Sequence, residues 1–440
     1  MANAQVDVTN SLTLPIPPDL AGLSERDAGR LLKDVGPNRW VPHDRFAWIR
    51  EALQLLLDPM AVMLAIAAAI YFMLGQYDKA LAADQQALKL DPGSGAAYLS
   101  LAVAYRFLNR RDEARATAQE AHARNLDSPF MPLNLYLIDF LERDAAGMER
   151  EAARLVGKPE YESLLLYAES DTAAFAGQFA RARELTRRAA ESARRAGEKE
   201  QAAGYEAEAA LREALVGNTG LVSRQAQAAL ALSGAKQVEA VLAMSLGLAS
   251  DSATAMRLAR DLDQRFPKDT IVQFGYLPMI RAAGALGRAR GTKDAGVAIE
   301  ALAAAAPYEL GTMAQPLSVA LYPVYLRGEA YLSAQQGAAA AAEFQKIFDH
   351  PGVVVNQPIG ALAHLGLGRA YALQAGVDLT ATHSRLSRLL KAFGGEKAPP
   401  QPDVLAKART AYQDFFALWK DADPDIPILK QARAEYGSLR

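Results

Sequence analysis

The chain has 440 residues with 48 basic against 50 acidic side chains, and a net charge of −2 gives no electrostatic reason to expect nucleic acid as a partner. It is 51% hydrophobic and 22% charged, the composition of a folded protein, which excludes wholesale disorder. Cysteine is absent, which excludes disulfides, thiol nucleophiles and thiolate metal sites; alanine fills about a fifth of the chain, a density that favours closely packed helices.

Residues 1–20 carry neither a basic stretch nor an apolar core, so no secretory signal peptide is expected. In GLSERDAGRLLKDVGPNRW, Ser24 is a good helix N-cap and Asp27 complements the helix dipole three residues later. Gly36, Pro37 and Asn38 stop that helix. The apolar stretch LLLDPMAVMLAIAAAIYFMLG follows at 55–75. Together these features resemble the N-terminal region of cation-transporting P-type ATPases up to their first membrane helix, over about residues 20–75. The phosphorylated Asp-Lys-Thr-Gly-Thr stretch of those enzymes occurs nowhere in the chain, and a second membrane hairpin is missing, so the resemblance does not imply transport.

Residues 59–74 contain no charged or strongly polar side chain. As a helix they span ~24 Å, short of the ~30 Å hydrocarbon core of a bilayer. Two readings stay open: a membrane anchor over 53–75, or the first helix of a repeat with Leu64, Ala67, Ala68 and Tyr71 turned towards its second helix.

The next segments are self-similar. AIYFMLGQYDKALAADQQALKLDPGS and AVAYRFLNRRDEARATAQEAHARNLDSP align Tyr71 with Tyr105, Gly75 with Asn109, Ala80 with Ala114 and Ala87 with Ala121, each 34 positions apart. Small residues recur where two antiparallel helices would cross, Gly75 ends a first helix, and Pro92 closes a second. The units 61–94 and 95–128 resemble the tetratricopeptide repeat, with Asp84 and Ala118 in place of that family's usual aromatic in the second helix. Looser copies place Gly177, Ala182 and Ala189, then Pro267, then Gly328, Tyr331, Ala340 and Phe344, then Gly368 and Tyr371, and finally Ala408 and Tyr412. From about Gly75 onward the chain is similar to the repeat region that follows the catalytic domain of certain bacterial serine/threonine kinases.

The step from Tyr371 to Ala408 is 28 residues longer than the step from Tyr331 to Ala340, which marks an insertion at 377–405. Leu386, Leu389 and Leu390 fit a short amphipathic helix there, followed by the proline-rich EKAPPQPD. The expected fold is therefore all-α: a right-handed α-solenoid of eight to ten tetratricopeptide-like helix pairs with a short helical N-terminal extension. Its expected divisions are 1–58 (extension), 59–75 (apolar helix), 61–376 (repeats), 377–405 (insertion) and 406–440 (final repeat helices).

No catalytic or cofactor site is expected. His43, His122, His350, His364 and His383 lack the spacing of a helical zinc site, and Gly366 and Gly368 lack the strand and third glycine of a phosphate cradle. Kinase motifs are missing as well. The basic run at 181–199 reads as a solvated helix face rather than a nucleic-acid site. In such a solenoid the first helices line a concave face, which nominates Leu99, Val103 and Arg106, then Tyr322, Tyr325 and Leu332, then Leu362, Leu365 and Arg369. Leu99 and Val103 stand where carboxylate-gripping repeats carry Lys and Asn, so the expected ligand is an apolar or amphipathic protein segment. The expected role is a non-catalytic cytoplasmic scaffold. A membrane-anchored module, and a regulatory or remnant part of a kinase or P-type ATPase, are the alternatives.

Overall fold

Alanine-rich stretches with few β-branched residues form helices throughout the computed structural model, which describes residues 26, 59–288, 292–311, 320–377, 379 and 402–439. Among the described residues there is no strand. The helices are α1 Pro59–Met73, α2 Tyr77–Leu90, α3 Gly95–Phe107, α4 Arg111–Ala123, α5 Met131–Glu142 and α6 Ala145–Ala153. They continue as α7 Pro159–Phe175, α8 Phe179–Arg195, α9 Lys199–Leu215, α10 Thr219–Leu232, α11 Lys236–Leu248 and α12 Ser252–Arg265. A π-helical turn, Val272–Tyr276, leads into α13 Leu277–Arg288, followed by α14 Thr292–Ala303, α15 Tyr322–Ser333 and α16 Gly337–Asp349. The single turn α17 Pro351–Val354 precedes α18 Pro358–Gln374, α19 Pro402–Leu418 and α20 Pro427–Gly437.

Successive helices pack as nine pairs among the described residues, from α1 with α2 to α18 with α19. First helices then stack on first helices, α9 on α11, α11 on α13, α13 on α15 and α15 on α18. This is an all-α solenoid of tetratricopeptide-like helix pairs. The apolar segment is the first helix of the first pair: α1 lies on α2, with Ala61 and Ala68 buried and Leu64, Ala67 and Tyr71 half-buried. No helix among the described residues is long and apolar enough to cross a membrane. The proposed capping residues Ser24 and Asp27 and the leucines of the insertion lie outside the described residues. Helix α19 starts at Pro402, inside the stretch expected to be insertion.

Small residues set the crossings. Gly75 has φ +68°, which suits the left-handed end of α1, and a Cβ there would sit 2.6 Å from Cβ of Leu310. A Cβ on Gly328 or Gly366 would come within 2.7 Å and 2.5 Å of the Phe344 ring, and one on Gly368 within 2.8 Å of the Tyr412 ring. Gly366 and Gly368 are thus seats for aromatic rings, which accounts for both without a phosphate.

Asp84, in the position the repeat family fills with an aromatic, is 1% exposed, and the Ser100 hydroxyl lies 2.9 Å from both its carboxylate oxygens. Burial pushes its carboxyl up to about 7 against the pull of that hydrogen bond.

The array does not stay open. Helix α18 packs on α7, and α17 packs on α3 and α5. Trp419 Nε1 donates to the Phe175 carbonyl at 3.0 Å, the Asp423 backbone N–H to the Gly177 carbonyl at 3.1 Å, and the Ile428 N–H to the Val216 carbonyl at 3.2 Å. Tyr77 likewise donates to the Leu310 carbonyl. The last third of the solenoid is therefore bonded to the first half.

Phe344 is fully buried between two glycines that leave room for no other shape. Phe344→Ala is expected to cost about 3–5 kcal/mol, read as a lower urea midpoint with helical content at zero urea retained.

Candidate functional site

Closure of the array decides which first-helix positions face solvent. Tyr322, Tyr325, Leu362 and Leu365 are 5%, 4%, 1% and 1% exposed, and all four belong to the main hydrophobic core. The expectation that they line an open wall is corrected: in a curled array the inward face of α15 and α18 meets other helices instead of a ligand. Leu332 is half-buried against the same core. Arg369 bonds Glu435 on α20, with Nε 2.9 Å from Oε2, and so fastens the last helix rather than facing a groove.

On α3 the outcome differs. Leu99 and Val103 are half-buried, Leu99 against the cluster of Ala102, Ala118 and Met131. Arg106 is 6% exposed and lines a cleft of about 130 Å³. Leu133 and Leu137 of α5 and Leu164 and Tyr167 of α7, all half-buried, form its apolar walls. Helical spacing puts each set on one face: 99, 103 and 106; 133 and 137; 164 and 167. The wall opposite is residues 353–357. The α5 and α7 residues escaped the sequence reading because the repeat signal fades there; the i, i+4 leucines of LNLYLIDF carried the usable signal.

Arg106 is held from three sides. Its Nε donates to Asn134 Oδ1 at 2.8 Å, its Nη1 donates to the Gly352 carbonyl at 2.6 Å, and its guanidinium lies 4.5 Å from the Phe107 ring centre. Burial lowers this guanidinium to about 10, partly offset by nearby Tyr77. Behind the cleft sits a buried polar network. Arg212 Nη1 is 2.6 Å from Asp171 and 2.7 Å from Ser170 Oγ, and its Nη2 is 2.6 Å from Thr186 Oγ1. Burial alone would lower the Arg212 guanidinium, but Asp171 beside it turns the net shift upward. Tyr167 donates to Glu208, whose carboxyl is pushed up to about 8 by burial, with Asp171 adding to the rise.

Among the described residues no group of three or more His, Asp or Glu side chains converges on a point that could hold a metal. Arg115 is paired with both Asp139 and Glu142. Helix α1 carries an apolar strip, where Met63, Ile66 and Ile70 are at least half exposed.

Residues 71–129 match the tetratricopeptide-repeat family model. They span α2, α3 and α4 and so include the cleft wall formed by Arg106. Residues 18–71 match the N-terminal domain of cation transporters and ATPases, and the two spans meet at Tyr71 on α1. Comparison with curated proteins yields no match. Among solved structures the chain is similar to the crystal structure of the P58(IPK) TPR domain, at 12% identity over 86% of this chain and 98% of that one, with a TM-score of 0.22. It is also similar to the structure of Naa15/Naa10 bound to HypK-THB, at 14% identity over 92% of this chain and 64% of that one, with a TM-score of 0.21.

The Glu208 carboxyl has a folded-state value of about 8 against an ordinary 4.5, so the fold favours its protonated form. Its contribution to stability is fully present below the ordinary value and is lost as pH rises through about 8. Between about pH 5 and pH 9 the protein is expected to lose stability towards urea with rising pH. Glu208→Gln should flatten that slope.

Proposed function

We propose that this chain is a non-catalytic protein-interaction scaffold that receives a short segment of a partner protein in the cleft between α3, α5 and α7. The observation that carries this reading is the cleft itself: two successive first helices, α5 and α7, leave three leucines and a tyrosine half-buried there beside the Arg106 wall of α3, while the matching faces of α15 and α18 are buried. Part of its wall lies inside the span matched by the repeat family.

The cleft's charges select against simple ion capture. Arg106 is engaged with Asn134 and Gly352, and Asp171 is engaged with Arg212, so neither brings a free charge to the surface. Recognition then rests on apolar side chains seated between Leu133, Leu137, Leu164 and Tyr167.

Leu133→Glu with Leu137→Glu places two charges on the α5 wall. Captured partners, identified by mass spectrometry after cross-linking to the full chain, should fall at least about tenfold, equivalent to 1.4 kcal/mol or more, while helical content is unchanged. Equal capture by both proteins removes the cleft as the binding site.

A further inference from the structure

Residues 350–357, HPGVVVNQ, interrupt the alternation of helix pairs and carry contacts that reach across the array. The turn α17 reaches across the array to pack on α3 and α5, more than two hundred residues earlier in the chain. Gly352 lies so close to α3 that a Cβ there would overlap the Arg106 carbonyl oxygen, and its own carbonyl accepts the Arg106 hydrogen bond. Val353, Val354 and Val355 are 4%, 6% and 7% exposed. Asn356 Nδ2 donates to the Ala168 carbonyl at 2.8 Å and to Thr172 Oγ1 at 3.0 Å, both on α7. The segment therefore touches all three helices that wall the cleft, through a small residue, an apolar run and an asparagine.

Val353 and Val354 belong to the main hydrophobic core, and two further observations concern how the segment sits there. Val355 has φ 44° and ψ −114°, a left-handed conformation that glycine tolerates and a β-branched residue does not. The packing is also incomplete, since about 130 Å³ remains open between the segment and the three helices. Beside the Arg106 contact, the buried Asn134 Nδ2 has no acceptor among the described residues.

We infer that the cleft is a peptide-binding site occupied in cis by residues 350–357, and that the partner segment it takes in trans shares their chemistry: a glycine, three consecutive apolar side chains and an asparagine. This rests on the scaffold reading above and names its ligand class. An incoming segment replaces the Gly352 carbonyl on Arg106 and the Asn356 amide on α7. Bulkier apolar residues in place of the valines fill the open volume. Because the site is occupied in the resting chain, its apparent affinity is reduced by the fraction of time it is vacant.

The test uses a fluorescein-labelled peptide with the sequence of residues 349–358, titrated into the full chain and followed by anisotropy. Gly352→Val blocks the cis contact at α3, and Asn356→Ala removes the two bonds to α7. Both variants are expected to bind the peptide at least about tenfold more tightly than the wild type, and a peptide carrying valine at its glycine should not bind. Should Gly352→Val lose its helical circular dichroism, Asn356→Ala alone decides. Equal affinity for wild type and variant, or no binding to a folded variant, overturns the inference. Its failure is separable from failure of the scaffold reading: loss of partner capture in the Leu133→Glu, Leu137→Glu chain with no effect of the strap variants on peptide binding removes only cis occupancy. Unchanged capture in that chain removes the cleft altogether.

Discussion

Close approach of helix backbones is the constraint on which the rest of this protein depends. Two helices can cross at short range only where the side chains between them are small. The chain meets that demand with alanines such as Ala80, Ala114, Ala121, Ala189 and Ala340, all fully buried at or near 0% exposure. Where an aromatic must enter, glycine makes room, as Gly328 and Gly366 do around Phe344. With crossings this tight, first helices stack on first helices from α9 to α18, and the late helices reach the early ones. The bonds from Trp419 to Phe175 and from Arg106 to Gly352 are the consequence of that geometry.

Closure changes what the first helices do. In an open array their inward residues form a continuous wall; here most of that wall is core, and a polar network of Arg212, Asp171, Ser170 and Thr186 is sealed among the aromatic and aliphatic residues. Such a network is costly to bury unless every member is satisfied, and Arg212 is satisfied by all three partners. Accessible surface survives along α3, α5 and α7, where α17 crosses the array without filling it. That stretch of wall is one that the chain itself partly covers.

The helix pairs were legible because the 34-residue spacing of Tyr71 with Tyr105 and Ala80 with Ala114 is a direct record of helices crossing. Gly75 was legible as the end of a first helix, which its φ of +68° fits, whereas Gly368 was legible only as a small-residue position, and what it makes room for is the Tyr412 ring. Tyr322, Tyr325, Leu362 and Leu365 were expected on an open wall, yet their burial depends on contacts between distant repeats, and no local spacing encodes those. Arg106 was nominated for a partner's segment, and the structure gives it a carbonyl of the chain's own. The strap at 350–357 went unread because PGVVVN looks like any apolar turn until its contacts with α3 and α7 are known. Asp84, by contrast, was visible as a departure from the repeat pattern, and its meaning as a buried carboxyl held by Ser100 came only with the packing.

The central claim is that the inner wall is closed over α15 and α18. Hydroxyl-radical footprinting of the folded full chain, read residue by residue in a mass spectrometer, tests it directly. The account predicts that Tyr322, Tyr325, Leu362 and Leu365 are protected to the same degree as Tyr412, while Tyr105 and the exposed Met63 are oxidised. Rapid oxidation of Tyr322 and Tyr325 in a chain that keeps its helical content would contradict it, because an open solenoid would then present those side chains to solvent.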